Sequence, residues 1–171
     1  MTEAGVDAGA WHYSGMFNEY WYGAAEAKQY LELLNYARPQ GILLWEYTED
    51  YGFVDVDKSK TPAVLTPTKR FHFLQQFAAN TPRDGQGLET SSSRSDLLTA
   101  AVRGKDGKVA VHLMNDGAAR DVEISGLPVG KFTMHVTDST RNAAASDLAP
   151  AVDNTLRVKA PAWSLVTIVS R

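Results

Sequence analysis

The stretch GILLWEYTEDYGF, residues 41–53, sets an indole, a carboxylate and a phenol (Trp45, Glu46, Tyr47) directly behind the apolar run Ile42-Leu43-Leu44. An indole is a flat apolar platform, and a carboxylate and a phenol beside it exchange hydrogen bonds with a polar ligand. A second concentration is WHYSGMFNEYWYG, residues 11–23, where Trp11, Tyr13, Phe17, Tyr20, Trp21 and Tyr22 crowd around His12. Rings and hydroxyls at that density suit the rim of a ligand cleft, or a loop that packs its own aromatics. Thiol and metal chemistry are not indicated. Cysteine is absent, and His12, His72, His112 and His135 lack ligand spacing. Glu49-Asp50 and Asp55-Val56-Asp57 fit no calcium-loop register and read as solvated acids. No glycine-rich phosphate loop or nucleophile elbow occurs, and no cofactor is expected.

The 171 residues are 44% apolar and 22% charged, with a net charge of -3. That is an ordinary globular composition, enough for one domain or one domain and a piece of another. The longest basic run is Lys69-Arg70, which argues against a nucleic-acid partner or an anionic membrane surface. Met1-Thr2-Glu3-Ala4-Gly5 has neither a basic start nor an apolar core, and nowhere do about 18 apolar residues run together. If Met1 is an internal start, any export signal would lie upstream of it.

The elements that must position these side chains fall into two halves, residues 1–82 and 96–171, joined by a polar Gly- and Ser-rich linker, 83–95. In the first half, Ala27, Tyr30, Leu31 and Leu34 predict a helix over 24–37, with Glu26, Lys28, Gln29, Glu32 and Asn35 on its wetter faces and Pro39 behind it. Residues 41–47 read as a parallel strand, apolar on both faces. A loop, 48–65, leads to a second helix capped by Thr66, with Pro67 first and Phe71, Leu74, Phe77 and Ala78 turned inward. The second half alternates with period two through Leu97–Arg103, Val109–Leu113, Val122–Ile124, Phe132–Val136, Leu156–Val158 and Leu165–Val169, with Asn115-Asp116-Gly117 as a hairpin signal. A lone parallel strand leaves its backbone groups unpaired, and a closed (β/α)8 barrel takes about 250 residues. The first half must therefore dock on the second or on strands outside this chain. The fold expected is α+β: terminal βα repeats of an incomplete (β/α)8 barrel followed by an antiparallel β-sandwich.

TEAG at 2–5, LLWEY at 43–47, PTKRFHFLQQF at 67–77 and APAWSLVTIV at 160–169 together resemble the tail of a retaining glycosidase whose barrel precedes a β-sandwich, as in glycoside hydrolase family 30 and its relatives. The resemblance spans essentially the whole chain, through short motifs. It implies that Glu3, at the end of a seventh strand, is the nucleophile, and that Trp45, ending the eighth, floors a sugar site. Trp11, His12, Tyr13 and Tyr47 become substrate-binding residues around it. A carboxylate suits an oxocarbenium-like transition state and the covalent glycosyl-enzyme that follows, and an indole suits the CH face of a sugar. Strand alternation turns Glu46 away from the side that Trp45 faces. Apart from the resemblance, Glu3 also reads as a solvated terminal residue and Trp45 as a core indole.

Asn18-Glu19 mimics the Asn-Glu pair that carries the acid/base in such families. Yet Asn18 follows Glu3 by 15 positions, and a βα repeat takes about 30. The acid/base then belongs to a strand outside this chain. The function implied is the C-terminal part of a glycoside hydrolase acting on β-linked poly- or oligosaccharides, inactive alone. Its partners are the carbohydrate substrate and the missing N-terminal barrel segment, with no nucleic acid and no membrane, in an enzyme that is secreted or periplasmic at full length. The alternative is a non-catalytic carbohydrate-binding or structural β-sandwich module. Coplanar exposed aromatics on the sandwich would mark a binding module, and the aromatics there are Phe132 and Trp163.

Overall fold

The computed structural model describes residues 5, 6, 9, 12–44, 52–149 and 151–171. Helix α1 spans Tyr20–Glu32 and continues into a π-type turn, Leu33–Ala37, that closes on Arg38 in the left-handed region. A short antiparallel hairpin, β1 (Val54–Asp57) with β2 (Val64–Pro67), precedes helix α2, Lys69–Asn80. Eight strands follow: β3 (Gln86–Leu88), β4 (Leu97–Arg103), β5 (Val109–Asn115), β6 (Arg120–Ser125), β7 (Phe132–Thr137), β8 (Ala144–Leu148), β9 (Thr155–Ala160) and β10 (Ser164–Ser170). Every strand pairing among the described residues is antiparallel. The protein is thus α+β, with two helices set against antiparallel sheet. No helix among the described residues is long and apolar enough to cross a membrane.

The main sheet has the order β3-β4-β5-β10-β7-β8, and β6 and β9 form a separate two-stranded ribbon. Period two assigns the faces. Leu97, Ala101, Val111, Leu113, Val136, Val166 and Ile168 point to one side and meet Val122, Leu156 and Val158 of the ribbon in a single core. On the other side Ala100, Met114 and Leu165 meet Ala27, Tyr30, Leu31, Phe73 and Phe77 of the two helices. Strand β5 is buried along its whole length because it is covered from both sides. The helices of the first half therefore dock on the sheet of the second.

A chain of buried hydrogen bonds fixes that docking. Gln76 of α2 donates to the carbonyls of His135 and Leu165 (3.1 and 3.0 Å) and to Thr167 Oγ1 (3.0 Å), and its own Oε1 accepts from Thr137 (2.6 Å). Thr81 donates to the Phe77 carbonyl (2.7 Å), so its oxygen is left to accept from His112 Nε2 (3.1 Å). Nδ1 then accepts from Thr167 (3.0 Å). The neighbours thus demand one neutral tautomer of His112, and complete burial pushes its pKa from 6.5 down to about 3.

Several local expectations are corrected. The second helix starts two residues later than expected: Thr68, not Thr66, caps it, accepting from the Phe71 N–H at 3.3 Å. Pro67 is held extended opposite Val54, so the stretch read as a loop contains a hairpin. The inner face of α2 carries Arg70, Phe73, Gln76 and Phe77, while Ala78 is exposed, a turn of the stripe set by the polar chain to the sheet. Glu26, expected on a wet face, is buried. Residues 41–43 form no strand and Leu44 makes one bridge. Ile42 and Leu44 lean on the helix core while Leu43 is exposed, so these residues are not apolar-covered on both faces. Asn115-Asp116-Gly117 joins strands that do not pair, because β5 lies in the main sheet and β6 in the ribbon. Strand β8 was not foreseen, and β3 falls within residues 83–95.

Two stability measurements check this packing. Gly23 sits inside α1, where alanine gains about 1 kcal/mol in helix propensity. A Cβ there would stand 2.6 Å from Cδ2 of the buried Phe73 ring, and overpacking costs about 1–3 kcal/mol. Gly23→Ala should therefore lower the urea midpoint, and a raised midpoint would contradict the packing. For His112 the folded pKa lies below the unfolded one, so the unfolded chain takes the proton first on acidification. The stabilisation is complete above pH 6.5 and drains away towards pH 3. The wild type should lose about 2 kcal/mol between pH 7 and 5, a loss that His112→Gln lacks.

Candidate functional site

The residues leading into α1 form a 3-10 turn, Ser14–Asn18, whose Phe17 packs edge-on against Tyr22 with ring centroids 5.0 Å apart. Met16, Phe17 and Tyr22 bury one another and cover Val6. Beneath them lies Arg70, in the first turn of α2, with no exposed surface. Its Nε donates to Glu26 Oε2 at 2.7 Å and its other arm to Oε1 at 2.9 Å. The guanidinium stands 4.1 Å from the ring centre of Phe53, 5.4 Å from Phe17 and 5.7 Å from Tyr22. A buried cation needs both a counter-charge and polarisable walls, and this one has a forked carboxylate and three π faces.

The same centre holds two further chain segments. The Tyr22 hydroxyl donates to the Val6 carbonyl at 2.6 Å. Val6 is thereby tied to α1. The Phe53 carbonyl accepts from the N–H and the hydroxyl of Thr68, at 2.9 and 3.0 Å. Burial pushes the Glu26 carboxyl up, while the hydrogen bonds and charge of Arg70 and the Val6 N–H pull it down. The two-pronged contact with Arg70 belongs to the ionised form. Val6 lies three positions after Glu3, and Phe53 six after Tyr47. One buried guanidinium thus anchors the segments downstream of both.

Of the residues the sequence singles out, Glu3, Trp11, Trp45 and Tyr47 lie outside the described residues, as does Glu46. His12 and Tyr13 are described and exposed. The His12 N–H donates to the Gly9 carbonyl at 2.9 Å, and the Tyr13 carbonyl accepts from Met16 at 3.2 Å. The Tyr13 ring lies over Gly15, where a Cβ would stand 3.0 Å from it. Trp21, in the first turn of α1, is also half-exposed, so the described part of this aromatic segment presents an imidazole, a phenol and an indole. Asn18 donates to Asp55 of β1 and Glu19 caps α1 through its backbone, so this pair is occupied in holding the rim's base. Arg70, Glu26 and Phe53 were missed from sequence. The available signal was a charge in register with an apolar stripe on each helix: Arg70 with Phe73 and Phe77, and Glu26 with Tyr22 and Tyr30.

Removing one member of this pair strands the other charge in a dry site, which costs about 3–5 kcal/mol. Glu26→Gln should lower stability by that amount, read from the urea midpoint. An unchanged midpoint would contradict the buried pairing of Glu26 with Arg70.

No family profile and no curated protein matches the sequence. Solved structures do match in fold. A family 30 endoxylanase from Clostridium papyrosolvens C71 matches 100% of the chain with a TM-score of 0.80 and 21% identity. A family 30 subfamily 8 xylanase from Clostridium acetobutylicum matches 99% with a TM-score of 0.81 and 18% identity. The catalytic domain of family 30 xylanase C from Talaromyces cellulolyticus matches 99% with a TM-score of 0.77 and 22% identity. This chain spans only 41%, 41% and 40% of those three chains. In fold, the chain resembles about two fifths of each of these glycoside hydrolase family 30 structures.

Proposed function

We propose that the chain is the C-terminal part of a glycoside hydrolase acting on β-linked poly- or oligosaccharides. The observation that carries this is the agreement in fold, along the whole chain, with xylanases of which it spans about two fifths. Residues 1–82 are then the last βα units of a (β/α)8 barrel, 83–95 a linker, and 96–171 a β-sandwich made by the main sheet and the ribbon. Glu3 is the nucleophile: its carboxylate attacks the anomeric carbon as the glycosidic bond to the leaving oxygen breaks. The leaving oxygen takes its proton from an acid on a strand of the missing N-terminal segment. Water later cleaves the glycosyl-enzyme ester with that same residue acting as base. Trp45 offers the apolar platform, and Trp11, His12, Tyr13 and Tyr47 line the rim.

The Arg70 centre supports this reading from below. A nucleophile must be held within a fraction of an ångström of its productive position, and rigid neighbours do that better than a loop does. Tyr22 holds the carbonyl of Val6, three positions after Glu3, and Thr68 holds that of Phe53, six after Tyr47. The non-catalytic binding module is less favoured. Phe132 is sealed in the core, which leaves the sandwich without an array of exposed rings.

The chain alone should release nothing from aryl β-xylosides or xylan, for want of the acid. Joined to a barrel segment that supplies the acid strand, it should cleave xylan with retention at the anomeric carbon, seen by proton NMR of the first product. Glu3→Gln in that joined enzyme should reduce turnover by several orders of magnitude. Turnover by the isolated chain, or full activity with Gln at position 3, would overturn the assignment.

A further inference from the structure

Among the described residues Trp163 is the one aromatic with a left-handed backbone, at φ 48°, and it is 51% exposed. Each is unfavourable in isolation: a bulky side chain crowds its own backbone at that angle, and an indole in water forgoes burial. The turn is nevertheless built rigidly. The Pro161 carbonyl accepts from Asn115 Nδ2 at 2.6 Å and from the Ser164 hydroxyl at 2.8 Å, and the Trp163 N–H donates to the Gly117 carbonyl at 3.1 Å. Asn115 and Ser164 are fully buried. The Asn115 amide oxygen has no partner among the described residues, while its Nδ2 also reaches the carbonyls of Ala118 and Ala160. Buried polar groups are thus spent on holding an outward-facing ring where glycine would serve the turn with less strain.

The position of the ring matters as much as its rigidity. β5 ends and β10 begins at this end of the sheet. Helix α1 reaches the same end through Lys28, and α2 begins there, since Lys69 donates to the Arg141 carbonyl (3.2 Å) and Asn142 (2.6 Å) just beyond β7. Lys28 pairs with Asp116, next to Gly117, at 2.7 Å, and the buried Tyr20 hydroxyl is pushed up by desolvation and then by the charges of Asp138 and Asp116. Tyr13 and Trp21 stand just before and within the first turn of α1. Trp163 and the rim therefore share one end of the molecule, with a donor and an acceptor, Lys28 and Asp116, on the helix and turn between them.

We propose that Trp163 is a distal glycan-binding platform. Its indole stacks on the CH face of a pyranose in a β-linked chain that runs out of the cleft, and Lys28 and Asp116 hydrogen-bond hydroxyls of the same stretch. This rests on the glycosidase reading and extends it, because the sandwich end becomes part of the substrate surface. A single ring holds weakly, so the platform acts on polymers, which present many copies of the sugar face, and not on short oligosaccharides.

The test is affinity electrophoresis of the full chain in native gels containing soluble xylan or hydroxyethyl cellulose, with α-linked dextran as control. Trp163→Gly is the informative variant: glycine suits φ 48°, so its melting temperature should equal or exceed that of the wild type, and lost binding cannot be assigned to unfolding. The wild type should be retarded by at least one β-linked polymer and not by dextran. Trp163→Gly should bind about tenfold more weakly, and Trp163→Phe should keep part of the retardation. Retardation of Trp163→Gly equal to the wild type overturns the platform, and so does a wild type retarded by neither β-linked polymer or by dextran alike. If Tyr13→Ala loses retardation while Trp163→Gly keeps it, the platform fails and the glycosidase reading stands. The hydrolysis experiment above decides that reading separately.

Discussion

A guanidinium cut off from water is the constraint around which the first half of this chain is arranged. Arg70 has no exposed surface, so its charge must be matched inside the protein. Glu26 supplies the charge, and Phe17, Tyr22 and Phe53 supply electron-rich faces. These residues come from four stretches of sequence: the rim turn, α1, the approach to β1, and α2. None of them can shift without exposing or unbalancing the ion pair. Such a pair adds little net stability relative to a well-packed apolar alternative, but it tolerates few alternative arrangements. Its effect here is positional: segments with weak helical or strand character of their own inherit the rigidity of two helices.

That rigidity continues into the sheet. Helix α2 carries Arg70 in its first turn and Gln76 one and a half turns on. Gln76 reads out the carbonyls of His135 and Leu165 and the hydroxyls of Thr137 and Thr167. A directional relay through Thr167, His112 and Thr81 returns to the helix at Phe77. Every donor in this relay has one acceptor to satisfy, which admits one register of α2 on β7, β10 and β5. The rim is therefore indexed to the sheet through a single helix with two polar anchors.

Much of this arrangement was legible in the chain. Period two located β4, β5, β6, β7, β9 and β10, because apolar residues recur at alternate positions whichever face is buried. The stripe Ala27-Tyr30-Leu31 located α1 for the same reason. What stayed hidden were the polar residues taken inside. Glu26 and Arg70 look like solvated helix residues until they are set opposite one another, 44 positions apart. The burial of His112 was not legible, because nothing in the alternation of β5 announces helices on its second face. The start of α2 slipped by two residues because Thr66 and Thr68 flank Pro67 alike, and only the pairing of Pro67 with Val54 separates them. Strand β8, Ala144–Leu148, has little apolar character and owes its place to pairing with β7. As for the site, His12 and Tyr13, named from the sequence as candidate substrate-binding residues, are exposed, whereas the buried centre beneath them was not legible.

The ribbon has a bearing on solution behaviour. A two-stranded sheet exposes the unpaired backbone of its outer edges, a ready template for another copy of itself. Its outward positions are Asp121, Glu123, Arg157 and Lys159, set across from one another as Asp121 with Lys159 and Glu123 with Arg157. Of these, Glu123 and Arg157 form an exposed ion pair, and such surface charges contribute little to folding. They do make a flat stack of identical ribbons costly, since charges would be stripped of water without a fixed partner. The sequence thereby guards a vulnerable edge against fibrillar aggregation, with hydration and not extra burial keeping concentrated molecules apart.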